Sequence, residues 1–304
     1  MKLFSPTDAA LEGFRLTRER PRVLLAWAIF QFVLSLATAA IMIRLGGQHL
    51  MAIESASSSG AADYETMMSE FKDLAPVYAI ILPLGLVMMS IMTAAVYRAV
   101  LAPSDARLAF LRLGADELRL AALKVVFIFV WAGIAFVVVF LAGAAAALAG
   151  VLGGAASRFI GVGIGLFAVG IMLMVAVRLS LAPVITFAER RISVFESWKL
   201  TRGMFWPLLG AYVLAVAAIA VIGLLGMVIF SAVTSAIVVA GGGTLADAGA
   251  AFNPDATSLA SYFTGRTIAY LAFAGVLTAL YYAVITAPGA VAYRALMKAR
   301  DEAA

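Results

Sequence analysis

The stretch VVFIFVWAGIAFVVVFLAGAAAALAGVLGGAAS, residues 125–157, decides the fold. It carries no charge from end to end, and about 20 apolar residues at 1.5 Å each already cross a hydrocarbon core of about 30 Å. Five more runs share this character. The six predicted spans are approximately Val23–Ile43, Pro76–Tyr97, Val125–Ala146, Phe159–Ala182, Pro207–Phe230 and Thr267–Pro288. The Gly/Ala-rich tails AGAAAALAGVLGGAAS and VVAGGGTLADAGAAF overrun the bilayer and are expected to be fraying helix or loop on the far side. Composition agrees: of 304 residues 64% are hydrophobic and 13% charged, against about 25% charged in soluble domains. The expectation is an all-α polytopic membrane protein with one membrane domain over residues 1–304.

The same composition excludes much chemistry. The absence of cysteine removes disulfides, iron–sulfur clusters and thiol nucleophiles. A single histidine, His49, removes multi-histidine metal sites and argues against a histidine-based triad. Phosphate loops, zinc signatures and nucleic-acid motifs are missing, so no cofactor, metal or nucleic-acid partner is expected and the chain reads as a non-enzyme. The outer segment from Glu54 to Asp73 holds Glu54, Asp63, Glu65, Glu70 and Asp73, at spacings that match no calcium loop. It reads as a solvated, partly helical loop with a flexible Ser57-Ser58-Ser59-Gly60, and His49 reads as a solvated residue with no second ligand nearby.

Lysine and arginine set the orientation. All of the 22 basic residues except Arg44, Lys72, Arg158 and Arg266 fall on one side of the six spans. That side is read as cytoplasmic, with both termini on it, in a bacterial inner membrane. The 22-residue polar leader carries acids and precedes a full-length span, so span one is read as retained rather than cleaved.

An internal repeat runs through the basic side. PTDAALEGFRLTRER from Pro6 matches PSDARLAFLRLGADE from Pro103, and LEGFRLTR matches FESWKLTR from Phe195. Even-numbered spans end in Ala102-Pro103, Ala182-Pro183 and Ala287-Pro288. This predicts three parallel helix-pair repeats, approximately 1–102, 103–183 and 184–304, each entered by an amphipathic helix. Thr7-Asp8 and Ser104-Asp105 stand where a helix start needs a hydroxyl and an acid, and Ser193 with Glu196 has capping-box spacing. Leu11 and Phe14 share a face; Leu108, Leu111, Ala115 and Leu118 form the second stripe, and Phe195 and Trp198 the third. Basic flanks beside such stripes suit a helix in the headgroup plane. The candidate headgroup contacts are Arg15, Arg18, Arg22, Arg112, Arg119, Lys199 and Arg202. The competing reading packs these helices under the bundle and leaves the arginines to orient it.

The run LAPVITFAERRISVFESWKLTRGMFWPLLGAYVL, residues 181–214, resembles a signature of bacterial multi-pass proteins. They include the membrane domain attached to some glycerophosphoryl diester phosphodiesterases, and freestanding relatives of that domain. The matching residues are Ala182, Pro183, Glu189, Ser197, Trp198, Leu200, Thr201, Gly203, Phe205 and Trp206. No counterparts of the phosphodiesterase's carboxylates and histidines stand in these 304 residues, and no catalytic domain is expected. The resemblance implies a membrane module, not hydrolysis.

Within the spans, Arg98, Lys124 and Arg178 lie near the basic ends and are read as snorkelling anchors. Pro83 is read as a kink, and Gly161, Gly165 and Ala168 as a small-residue face for helix packing or self-association. The functional expectation is a module associated with lipid, in particular anionic phospholipid, or with another membrane protein or a second copy. The alternative is a passive pore or lipid-facilitating transporter about the repeat axis, using Gln31, Ser35, Thr38, Ser90, Thr93, Ser231, Thr234 and Thr278.

Overall fold

Each apolar run forms a helix long enough to cross a membrane. The computed structural model describes residues 4–59, 64–104, 106–152, 154–249, 255 and 258–302, and every regular element in them is helical. The six long helices are α2 (Pro21–Ser59), α4 (Ala75–Leu101), α5 (Ala115–Leu152), α6 (Gly154–Leu179), α9 (Phe205–Ala240) and α12 (Gly265–Asp301). The shorter ones are α1 (Pro6–Glu19), α3 (Tyr64–Asp73), α7 (Ala182–Glu189), α8 (Phe195–Leu200), α10 (Leu245–Gly249) and α11 (Leu259–Tyr262). Six spans qualify by length and composition, and each contains most or all of one expected run. This is the build of a multi-pass integral membrane protein.

The long helices follow one another round a ring, α2, α4, α5, α6, α9 and α12, which α12 closes by packing along α2. The ring is uneven. Helix α12 also crosses to α4, whereas α6 touches α9 only lightly. The protein core sits at the end of the ring that carries most of the basic residues, here called the basic end. There Ser90 to Val100 of α4 are buried without exception, against Trp27, Phe110, Leu120 and the 279–293 stretch of α12. Farther along, α5, α6 and α9 expose Phe129, Phe136, Phe167 and Ile229, as helices facing acyl chains should.

Two glycines permit close backbone contact. A Cβ on Gly275 of α12 would lie 2.9 Å from the Ala28 carbonyl oxygen of α2, and one on Gly13 would lie 2.5 Å from that of Ala283. Gly13 with Ala9 and Ala10 therefore seats α1 between α12 and α9, where Ala10 meets Ala215 and Val284. The apolar stripe expected on α1 is only half used for packing. Phe14 joins that cluster, while Leu11 stays exposed.

The other two entry helices differ from expectation. Asp105 lies outside the described residues. After Ala102 the chain makes a 3₁₀ turn, Arg107–Phe110, with Leu108, Ala109 and Phe110 all at positive φ, and α5 starts only at Ala115. Leu108, Leu111, Ala115 and Leu118 therefore share no helix face. In the third copy α8 has six residues, and its N-cap is Val194 without a side-chain cap. Ser193 instead donates its N–H to the Thr186 hydroxyl. The Ala-Pro steps diverge too. Ala102 caps the C-terminus of α4, Ala182-Pro183 opens α7, and Pro288 lies inside α12, which continues to Asp301. Pro83 likewise lies inside an unbroken α4.

The tail after residue 141 is helix as far as Leu152, while the second tail breaks at Gly241-Gly242 as expected. The outer segment from 54 is helical wherever it is described, in the end of α2 and in α3; Asp63 and Gly60 lie outside the described residues. Gly161 and Gly165 meet no protein atom within 4 Å of a built Cβ, so they serve no packing inside this chain.

Candidate functional site

The light contact between α6 and α9 leaves a cavity of about 720 Å³ at the basic half of the bundle. Its walls come from α4, α5, α6, α9 and α12, with Pro183 at the start of α7. Most lining side chains are apolar, among them Leu120, Leu123, Phe127 and Leu209. The polar exceptions are Thr93, Tyr97, Lys124, Ser180, Tyr212 and Thr286. Leu173, Val213 and Val216 line it while remaining exposed, so it opens between α6 and α9 toward the space acyl chains would occupy.

Lys124 is the decisive group. Its Nζ donates to the Thr93 hydroxyl at 3.2 Å, and that hydroxyl donates in turn to the Met89 carbonyl at 2.8 Å. Among the described residues no carboxylate pairs with this ammonium. A cation held in an apolar cavity without a counter-ion is costly, and an anionic ligand would relieve it. Lys124 is thus a cavity residue rather than a free anchor.

Arg98 is no snorkelling anchor either. It is only 8% exposed and pairs with Glu117 of α5, itself 1% exposed. Arg98 also donates to the Phe110 carbonyl at 3.1 Å, and its guanidinium stands over the Phe187 ring at 5.5 Å. Trp27 donates its indole N–H to the Ala109 carbonyl at 2.8 Å, and Arg20 reaches the Pro103 carbonyl at 3.3 Å. The connection from α4 to α5 is therefore pinned by Arg98, Trp27 and Arg20, and it leads into the cavity wall from Leu120 to Phe127.

The residues of the 181–214 signature form a latch on the opposite wall. Helix α6 breaks at Ser180-Leu181, which frees a carbonyl and an N–H. The Ser197 hydroxyl fills both roles, donating to the Arg178 carbonyl at 2.6 Å and accepting the Leu181 N–H at 3.2 Å. Thr201, one turn on, donates to the Ser197 carbonyl at 2.8 Å. Arg178 stands over the Trp198 ring at 5.7 Å and donates to the Trp198 carbonyl. Gly203 takes φ +80° to turn the chain into α9, Leu200 and Phe205 pack on the core, and the exposed Trp206 meets Phe205 edge-on at 5.2 Å. Glu189 and Glu196 share Arg191 at 2.7 and 2.6 Å. The Ser193 hydroxyl, then Arg191, hold the Glu196 carboxyl below its ordinary range. Ser197 and Thr201 thus satisfy backbone groups at and beside the break in α6.

Comparison with protein-family models, with curated proteins and with solved structures finds no match. The chain's chemistry therefore has to be argued from its own side chains.

The seven expected headgroup residues differ in their surroundings. Arg15 is tied to Glu12 at 2.5 Å, Arg119 to Asp116 at 2.7 Å, and Arg112 is half-buried. Arg18, Arg22, Lys199 and Arg202 are exposed. The polar residues proposed for a pore do not converge: Thr93 lines the main cavity, while Ser35 and Thr38 line a separate one beside Tyr262. Ser90 spends its hydroxyl on the Leu86 carbonyl. His49 is not alone, because its Nδ1 lies 2.9 Å from Glu70.

Proposed function

We propose that this protein is a non-enzymatic module of a bacterial inner membrane, with cytoplasmic termini, that holds an anionic membrane lipid in the α4–α5–α6–α9 cavity. The observation that carries this is Lys124, the one charged group lining a mostly apolar cavity that opens to the bilayer, with no carboxylate partner among the described residues. In this reading the acyl chains fill the space between Phe127, Leu173 and Val216, and the headgroup anion meets Lys124 and Thr93. A pocket of several hundred cubic ångströms with few polar groups is of the size that holds one small amphiphile. The exposed Arg18, Arg22, Lys199 and Arg202 add attraction for the anionic leaflet, each worth on the order of 1 kcal/mol near the surface.

The test is lipid mass spectrometry on protein extracted in native nanodiscs, with Lys124→Met and the cavity-filling Val216→Trp beside the parent. Both variants should lose most of the tightly held anionic phospholipid, while Arg18→Gln with Arg22→Gln should lose less. Equal anionic lipid in all of them would end the proposal.

A further inference from the structure

We infer that the end of the bundle opposite the basic end carries a site for a divalent transition-metal ion, built from His49, Glu70 and Asp73. The register that makes it is set by packing. Leu74, fully buried at the junction of α3 and α4, lies against Gly46 of α2, where a Cβ would come within 2.7 Å of the Leu74 methyl. A side chain at position 46 would have to displace the Leu74 methyl, so glycine eases the close approach at that level. One turn beyond Gly46 on α2 stands His49. On α3, Glu70 stands one turn before Leu74 and Asp73 directly before it, the two three residues apart and hence on one face.

The imidazole Nδ1 lies 2.9 Å from Glu70 Oε2 and 4.0 Å from Asp73 Oδ2, and the three ligand atoms all lie within 4.8 Å of one another. Ligands around a tetrahedral zinc ion, with bonds of about 2.0–2.2 Å, sit roughly 3.3–3.5 Å apart. The two separations from His49, 2.9 and 4.0 Å, bracket that value. His49 is 35% exposed and Asp73 59%, so water can complete the coordination.

One imidazole and two carboxylates make a borderline donor set. It favours Zn²⁺, with Mn²⁺ weaker, and it lacks the six to eight oxygens that Ca²⁺ requires. The ion would clip α2 to α3 and offset two carboxylate charges held near each other. The plain alternative is a His49–Glu70 hydrogen bond with no ion. That alternative leaves Asp73 without a role, and this is where the two readings part.

The experiment is Zn²⁺ titration by calorimetry on detergent-purified full-length protein without a polyhistidine tag, with Mn²⁺ and Ca²⁺ in parallel. His49 is the chain's only histidine, so histidine-dependent binding can arise nowhere else. The parent should bind one Zn²⁺ per chain, Mn²⁺ more weakly and Ca²⁺ least. His49→Gln, Glu70→Gln and Asp73→Asn should each weaken Zn²⁺ by about tenfold or more, since even supporting groups are worth 10–100-fold. Glu65→Gln, an exposed acid on the same helix, should bind like the parent. Asp73→Asn spares the His49–Glu70 hydrogen bond and so keeps the test sound if His49→Gln folds poorly. Zn²⁺ should also raise the melting temperature of the parent and not of Asp73→Asn. No saturable one-to-one Zn²⁺ binding, or unchanged binding in Asp73→Asn, overturns the site.

Discussion

Replacing Glu117 by Gln should be among the most damaging single changes in the basic half. Glu117 is 1% exposed, accepts from Arg98, and has its second oxygen without a hydrogen-bond partner among the described groups. Removing its charge leaves the Arg98 guanidinium buried with the Phe110 carbonyl at 3.1 Å and the Phe187 ring as its remaining partners. Breaking a buried pair in this way costs about 3–5 kcal/mol. Arg98→Met should cost a similar amount from the other side. The double variant Arg98→Met with Glu117→Leu leaves no uncompensated charge, only the Phe110 carbonyl without its donor, worth about 1–3 kcal/mol. The sum of the single losses should therefore exceed the double loss by about 3 kcal/mol or more. The assay is reversible unfolding in mixed micelles, followed by tryptophan fluorescence. Trp27 reports the site directly, because its indole holds the neighbouring Ala109 carbonyl. Single losses below about 1 kcal/mol, or strict additivity, would mean that water screens the pair and that the turn is held by something else.

Three further outcomes follow from the packing and the charges. Gly13→Leu should unseat α1 from the Ala283 backbone, at roughly 1–3 kcal/mol of overpacking, whereas Leu11→Ala on the exposed face should change little; thermal melts in detergent compare them. Glu196, held low by Ser193 and Arg191, supports α8 above the ordinary carboxylate pKa and loses that support as pH falls through its lowered value. The extra hydrogen-exchange protection of α8 in the parent over Glu196→Gln should thus be present at neutral pH and vanish well below about pH 4. Reporter fusions after Ala106 and after the last helix should report the same side of the membrane, and one after Asp255 the other; an Ala106 fusion that agrees with Asp255 would contradict six spans.

The spans were legible because the bilayer asks for little, only a charge-free window of sufficient length. What the windows miss is anything assembled between helices. Arg98 looked like an anchor because Glu117 is 19 residues away on another helix, and only the left-handed 108–110 turn brings them together. His49 looked solitary because its two carboxylates arrive by the return of α3, whose register is set by Gly46 and Leu74. The cavity has no local signature at all, since its polar groups come singly from several helices. The repeat misled at the Ala-Pro steps. Proline fits the first turn of α7 and also the interior of α12, where surrounding helices make up for the lost hydrogen bond. The 197–201 signature was visible as a pattern, but the serine and threonine four apart gain their meaning only beside the break in α6.

A single-particle density map of the protein in native nanodiscs shows whether the cavity beside Lys124 holds lipid. Elongated density should run inward between α6 and α9 past Leu173 and Val216, with its head within hydrogen-bond reach of Lys124 Nζ. A cavity closed by contact of α6 with α9, or a Lys124 paired to a carboxylate of the chain itself, would contradict it.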